Sequence, residues 1–364
     1  MIGVRRLHRR HIDRRAAELL GLILLAVVLE VAAGVGLAYV AGFGAARAAL
    51  DRLAWPWLAV VLASLMVSFV GYYSAYRGIY RAEGGYDLAR RQQRAVVVAG
   101  FGGLFSHGGR TPDDLALQAC GAGQHDALVR VWTLGAMEQG VLAIIGCLAS
   151  IAAVCLRLAE PPSDFTLPWV IVPLPAALLV FWVAERFRKR LWRRSGWLAR
   201  FAVILDSIRL VRKLFAHPLR HRRALAGMLV FWAADAFAVW AALAAFGVRM
   251  EPAALIVGFC TGMIFTRRVA PLAGAGTLML VLPVTIWVSG APLAAAVAGV
   301  FAYRLLCLWL PMPFALFNLP VLRETAKQVL SREPAPDRLP ETARAPRQER
   351  PAGPRRRLRD QKVV

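Results

Sequence analysis

Apolar residues run along this chain in long, almost uncharged stretches separated by clusters of arginine, and the length of each stretch decides what it is. A helix rises 1.5 Å per residue, so about 20 apolar residues cross roughly 30 Å of hydrocarbon. Six stretches meet or approach that length: residues 19–43, 53–76, 131–156, 167–184, 224–246 and 293–317. The first follows the basic run from Met1 to Arg15 directly, as the core of a signal peptide would. At roughly 25 residues it is longer than a secretory core, and it reads as an uncleaved first span.

Two further apolar stretches are too short or too interrupted to be ordinary spans. Ala95 to Phe105 is followed by Ser106-His107-Gly108-Gly109-Arg110 and the weakly apolar residues 115–123. Pro252 to Thr266 breaks at Arg267-Arg268-Val269-Ala270-Pro271-Leu272-Ala273-Gly274-Ala275-Gly276, and apolar sequence resumes from Thr277 to Val288. With six full crossings, the first segment must enter and leave on one face of the membrane and the second on the other. Non-helical backbone at membrane depth is tolerated where protein or a water-filled cavity satisfies it, so such breaks mark cavities. The order of span, broken segment, span occurs twice with opposite orientation, the arrangement of an inverted repeat. Gly100 to Ser106 echoes Gly258 to Thr266, a likeness that duplication and chance between apolar sequences both explain. The expected fold class is therefore all-α: a polytopic membrane protein of about six full spans plus two re-entrant or broken helical segments.

Composition and charge fix the orientation. Of 364 residues, 58% are hydrophobic, and the net charge is +23, with a mean hydropathy of +0.53. Basic residues on one folded surface would indicate a nucleic-acid binder; here long uncharged segments separate them, so no nucleic-acid partner is expected. The basic N-terminus, the loop holding Arg77, Arg81, Arg90, Arg91 and Arg94, the Arg186–Arg223 region and the tail all fall on one side, which the positive-inside rule makes cytoplasmic. The arginine, alanine and glycine content is that of a GC-rich bacterial genome, and the expected location is the inner membrane with both termini cytoplasmic. The chain divides into a basic N-terminus (1–18), a transmembrane domain (19–322) and a proline-rich, disordered basic tail (323–364). Between 196 and 219, apolar residues recur at helical spacing among Arg209, Arg212 and Lys213. That pattern fits an amphipathic helix on the anionic inner leaflet, or a cytoplasmic extension of a neighbouring span. The five cysteines form no paired motif and read as small core residues.

The candidate chemistry lies where charge meets hydrocarbon. A charged side chain at mid-bilayer costs about 3 kcal/mol even on lenient scales, and such residues face the bundle interior with partners. Asp235 in span five and Arg304 in span six sit at matching depth and are expected to pair, either structurally or around an anionic ligand. Glu30 reads as a neutral acid facing the bundle and Glu138 as a residue near an interface. Arg267 and Arg268 precede a Pro271-to-Gly276 turn that opens a helix. Guanidinium groups beside a glycine-rich helix start make a phosphate site, or anchor a short hairpin. His107 and Arg110 beside three glycines are the corresponding candidates in the first broken segment. No protease, P-loop, serine-hydrolase or zinc motif occurs, and no cofactor is expected.

From Phe231 onward the sequence resembles the flippase-like transmembrane family related to the membrane domain of bacterial lysylphosphatidylglycerol synthases. The residues that carry the likeness are Trp232 to Asp235, Ala245-Phe246-Gly247, Arg267 to Gly276, and Tyr303-Arg304 followed by Leu308-Trp309-Leu310-Pro311. The N-terminal two thirds match only in hydropathy and loop order. The family turn is often followed by a glutamate where this chain has Met279, and the soluble aminoacyl-transferase domain is not present in this sequence. The resemblance implies a lipid-handling protein, and the charge and glycine placement above makes Arg267, Arg268, Pro271, Gly274, Gly276, Arg304, Asp235, His107 and Arg110 the candidate contacts of an anionic or isoprenoid-linked lipid. A membrane-embedded transferase on polyprenyl-phosphate lipids is the second reading. A non-catalytic scaffold, partnered by envelope-biogenesis proteins, is the third.

Overall fold

A computed structural model of the chain describes residues 2–101, 111–158, 161–191, 197–264 and 271–331. The described residues are helical throughout: α1 (Ile2–Ala41), α2 (Phe43–Leu50), α3 (Trp55–Arg81), α4 (Arg90–Phe101), α5 (Pro112–Ala119), α6 (Gln124–Cys155), α7 (Ser163–Ile171), α8 (Pro173–Leu191), α9 (Trp197–Ala216), α10 (Arg222–Ala245), α11 (Pro252–Ile264), α12 (Pro271–Val288), α13 (Leu293–Arg304), α14 (Pro311–Phe317) and α15 (Leu319–Leu330). By length and composition, six helical segments among them can cross a membrane: 23–41, 55–84, 124–155, 163–186, 222–245 and 293–317. The chain is an all-α, multi-pass membrane protein.

Proline sets many of the boundaries, because it lacks an N–H and is tolerated in the first helical turn, where that donor would be unpaired anyway. Helices α3, α5, α8, α12 and α14 all begin at or beside one. In α5 the cap is complete, since Thr111 Oγ1 accepts from the backbone N–H of Asp114 at 3.3 Å. The fourth span is two helices, α7 and α8, broken at Val172 just before Pro173.

Helices α3 and α10 form the centre of the bundle, crossing at backbone contact. A Cβ placed on Gly71 would lie 2.6 Å from the backbone nitrogen of Phe231, and one on Gly227 would lie 2.6 Å from that of Ala75. Between membrane helices there is little hydrophobic driving force, and close packing through small residues takes its place. Ser64 Oγ adds a bond to the Ala234 carbonyl at 2.7 Å. Around this crossing lie the fully buried Trp232, Tyr76, Phe231 and Phe259. Trp232 also reaches α6, its Nε1 donating to the Glu138 carbonyl at 2.9 Å.

The short segments form α4 and α5, and α11 and α12; residues 102–110 and 265–270, where the breaks are expected, lie outside the described residues. Helices α11 and α12 pack on each other, with α11 also against α6 and α12 against α1 and α13. At about 20 Å, the 13 residues of α11 are too few to cross. Helices α4 and α5 lie between α3 and α6 in the chain and pack against α14 and α15.

Three boundaries differ from the sequence expectation. The loop expected after the second span is partly helix, with Arg77 and Arg81 in the last turns of α3 and Arg90, Arg91 and Arg94 in α4, because a helix need not stop where its hydrophobicity does. The tail boundary moves from 323 to 331, since α15 runs to Leu330 and gains neighbours in α4 and α5; residues 332–364 lie outside the described residues. Between 196 and 219, α9 forms as expected, but it turns Val203, Leu205, Val211 and Leu214 inward, packing against α6 and α8. Of the cysteines, Cys260 is buried and Cys155 is exposed, so the latter is no core residue.

Candidate functional site

Among the described residues, buried ionisable groups inside the apolar helices include Glu30 in α1, Glu138 in α6, Asp235 in α10 and Arg304 at the end of α13, with Arg130 near the start of α6. The structure joins two of them directly. Arg304 Nε donates to Glu30 Oε1 at 2.7 Å, with the two residues 4% and 2% exposed. Trp309 Nε1 donates to the other oxygen, Glu30 Oε2. Asp235, 2% exposed, accepts at Oδ2 from the Tyr303 hydroxyl at 3.0 Å. The expected Asp235–Arg304 pair is therefore corrected: among the described residues the ion-pair partner of Arg304 is Glu30, and Asp235 meets the neighbouring tyrosine.

Local backbone geometry explains how one helix presents both contacts. Immediately after Arg304 the chain makes a π turn, Leu305–Trp309, closed by the bond from Leu310 N to Leu305 O at 3.0 Å. Pro311, just beyond, supplies no backbone donor to this region. The wider turn shifts the azimuth of every residue after it, and π turns of this kind concentrate at functional sites. Tyr303 faces α10 while Arg304 and Trp309 grip Glu30 of α1.

One part of the arginine is not committed. Nη2 of Arg304 is buried and has no hydrogen-bond partner among the described residues. A guanidinium holds five donors in a rigid fork suited to carboxylate or phosphate. With Nε bound to Glu30, this fork presents a charged donor to anything anionic that reaches the site.

The remaining expected site residues divide into three groups. Arg267, Arg268, His107 and Arg110 lie outside the described residues. Pro271 and Gly274 fall in the first turns of α12, so the segment read as a turn from Pro271 is already helix. Gly276 is placed against α1: a Cβ there would meet Leu29 Cβ at 3.1 Å. Its small size thus serves helix packing, which is a different use from admitting a headgroup. Met279, at the position where the resemblance implies a glutamate, is fully buried in the same interface and lies against Gly34 of α1.

Sequence reasoning undervalued Glu30 and Glu138. Glu30 is the partner of Arg304, and Glu138 is 2% exposed in the middle of α6, so it lies within the bundle. The signal for Glu30 was present, since a single acid at the centre of an otherwise uncharged span requires a partner. No metal-binding group of three or more His, Cys, Asp or Glu side chains is found among the described residues. No protein-family model and no curated protein sequence matches the chain.

Proposed function

We propose that this membrane protein handles an anionic or isoprenoid-linked lipid and passes its phosphate-bearing headgroup between leaflets, with Arg304 as the contact inside the bundle. One observation carries the reading: a fully charged side chain is kept 4% exposed in an apolar helix, held by Glu30 and Trp309, with Nη2 unpartnered. A purely structural arginine at such a cost would be expected to use all of its donors. The resemblance of the last third of the core to flippase-like membrane domains supports the same reading, and Arg267 and Arg268 are the two further cations assigned to the lipid.

The test is exchange of a fluorescent anionic lipid between leaflets of reconstituted vesicles, at equal protein insertion. Arg304→Gln is expected to slow exchange at least about tenfold, one lost charged contact being worth roughly 1.5–3 kcal/mol, and Arg304→Lys to recover only part of it. The same fall is expected for Arg267→Ala/Arg268→Ala. Exchange that is unchanged in both variants removes lipid translocation as the function.

A further inference from the structure

A second cationic feature lies apart from the Glu30–Arg304 contact, and the intramembrane network does not use it. Where α3 ends and α10 begins, a cleft of about 390 Å³ is lined by Arg77, Arg81, Glu83, Arg220, His221, Arg222 and Arg223. Its floor is the helix crossing itself, closed by Gly78, whose Cβ would lie 2.6 Å from the backbone nitrogen of Ala224.

The charges at the cleft do not balance. Among the described residues, Asp87 binds Arg81, which donates from Nε at 2.7 Å, and stands 3.7 Å from Arg77. These guanidinium groups, the Arg81 hydrogen bond foremost, hold the Asp87 carboxyl below the usual carboxylate range. Glu83 is shared by three groups: Lys213 at 3.2 Å, Arg220 at 3.6 Å and His221 at 3.5 Å. Among the described residues two carboxylates thus face six permanently cationic side chains, and Arg222 and Arg223 have no acidic partner within 4 Å.

Positive-inside anchoring places arginines near a span end, but it does not call for a cleft between them or for a buried polar group in its lining. His221 is that group. It is 7% exposed and lines the cleft, and its Nε2 stands 3.5 Å from Glu83 Oε1 without a geometric hydrogen bond to any described residue. Burial draws its imidazole below the ordinary value, against the pull of Glu83.

The backbone adds a third contribution. His221 is the N-cap of the 24-residue α10 and makes no side-chain cap bond. The first donors returned to its carbonyl are those of Ala224 and Leu225, so among the described residues the N–H groups of Arg222 and Arg223 have no backbone acceptor at the positive end of the helix dipole. The carbonyls at the end of α3, which would repel an anion, are occupied: Arg130 Nη1 donates to those of Ile79, Tyr80 and Ala82 at 3.2, 3.0 and 3.1 Å. Glu83 is held at φ +50°, a left-handed conformation costing roughly 1–2 kcal/mol for a side-chain-bearing residue, and this directs its carboxylate to Lys213.

We infer that this cleft is a phosphate-binding site, with Arg222, Arg223, their backbone N–H groups and His221 Nε2 converging on a phosphate mono- or diester. The phosphate belongs either to a membrane lipid headgroup or to a soluble phosphate. Leu219, next in sequence to the lining residue Arg220, is an apolar side chain 87% exposed, suited to acyl chains if the source is a lipid. The inference is independent of lipid translocation through Arg304.

The experiment uses the full chain in a neutral detergent and follows its melting temperature. The probes are inorganic phosphate against chloride at equal ionic strength, and micelles doped with phosphatidic acid against phosphatidylcholine. A saturable rise with phosphate alone assigns a soluble anion, and a rise only with phosphatidic acid assigns a lipid headgroup. Arg222→Gln/Arg223→Gln and His221→Gln are expected to raise the half-saturating concentration about tenfold, the Arg-to-Lys double variant less, and Arg186→Gln, an arginine outside the cleft, not at all. The inference is overturned if the wild type does not distinguish phosphate from chloride and phosphatidic acid from phosphatidylcholine. It is equally overturned if the cleft variants behave like Arg186→Gln. Should the glutamine variants fail to fold, the wild-type titrations and the lysine variants decide.

Discussion

Helices α8 and α10 are both long, apolar and preceded or followed by arginine, yet they occupy opposite places in the molecule. The α7–α8 span is the more apolar by composition, but only 11% of its apolar window is buried, against 67% for α10. Hydropathy therefore reports that a helix crosses and says nothing of what it touches. Side-chain size makes the difference: α10 carries alanine on much of its surface and Gly227 at the crossing, whereas α8 turns Leu174, Leu178, Leu179 and Trp182 outward, where lipid can solvate them. In hydrocarbon a leucine gains little by finding a protein neighbour, while a glycine lets two backbones meet.

That contrast is most easily broken at the crossing. Gly227→Leu drives a side chain into the backbone of Ala75 and Gly71, neither of which can turn aside, and is expected to cost at least about 3 kcal/mol. Size-exclusion chromatography and thermal unfolding in detergent check it; a monodisperse variant with unchanged melting temperature would show that α3 and α10 do not meet as described.

A second measurement sharpens the contrast by asking whether charge, like small size, ties a span to the bundle. Glu30→Gln and Arg304→Gln should each destabilise by roughly 3 kcal/mol, with the double variant far from additive, because each single change strands a buried partner. The pair Asp235→Asn with Arg304→Gln should come closer to additivity, the two residues having different primary partners. Equal coupling in both cycles would dissolve the distinction.

The smallest effect belongs to α8. Leu178, 61% exposed, should tolerate Leu178→Ala within about 0.5 kcal/mol in the same unfolding assay, and a larger loss would mean that α8 is covered by a partner.

The number and order of the spans were legible because apolar length is a one-dimensional quantity. The pairing inside the bundle was not, because depth along a helix leaves its rotation undetermined. Asp235 and Arg304 match in depth, but the residue that turns toward Asp235 is Tyr303, one position earlier, and the guanidinium turns to α1 instead. Gly276 was read as room for a ligand because a glycine's absence of side chain looks the same in sequence whether a headgroup or Leu29 fills the space. The basic cleft escaped for a related reason: Arg81 and Arg223 are over a hundred residues apart, and only the α3–α10 crossing shows that two arginine clusters, each sufficient to orient a span, share one hollow. Helix α15 was missed because Pro320 and the proline-rich sequence that follows disguised a short amphipathic turn whose partners, α4 and α5, lie far upstream.

The π turn at Leu305–Trp309 has a consequence for how this chain can change in length. It holds one residue more than an α-helical turn, so it behaves as an insertion already absorbed into the sixth span. Winding the same residues as ordinary α-helix, with none removed, would rotate everything downstream by about 100°. Trp309 would swing off Glu30, and α14 and α15 would be carried away from α4 and α5. A residue counted as surplus in the hydrogen-bond ladder is thus what keeps the two ends of the sixth span in phase with different neighbours.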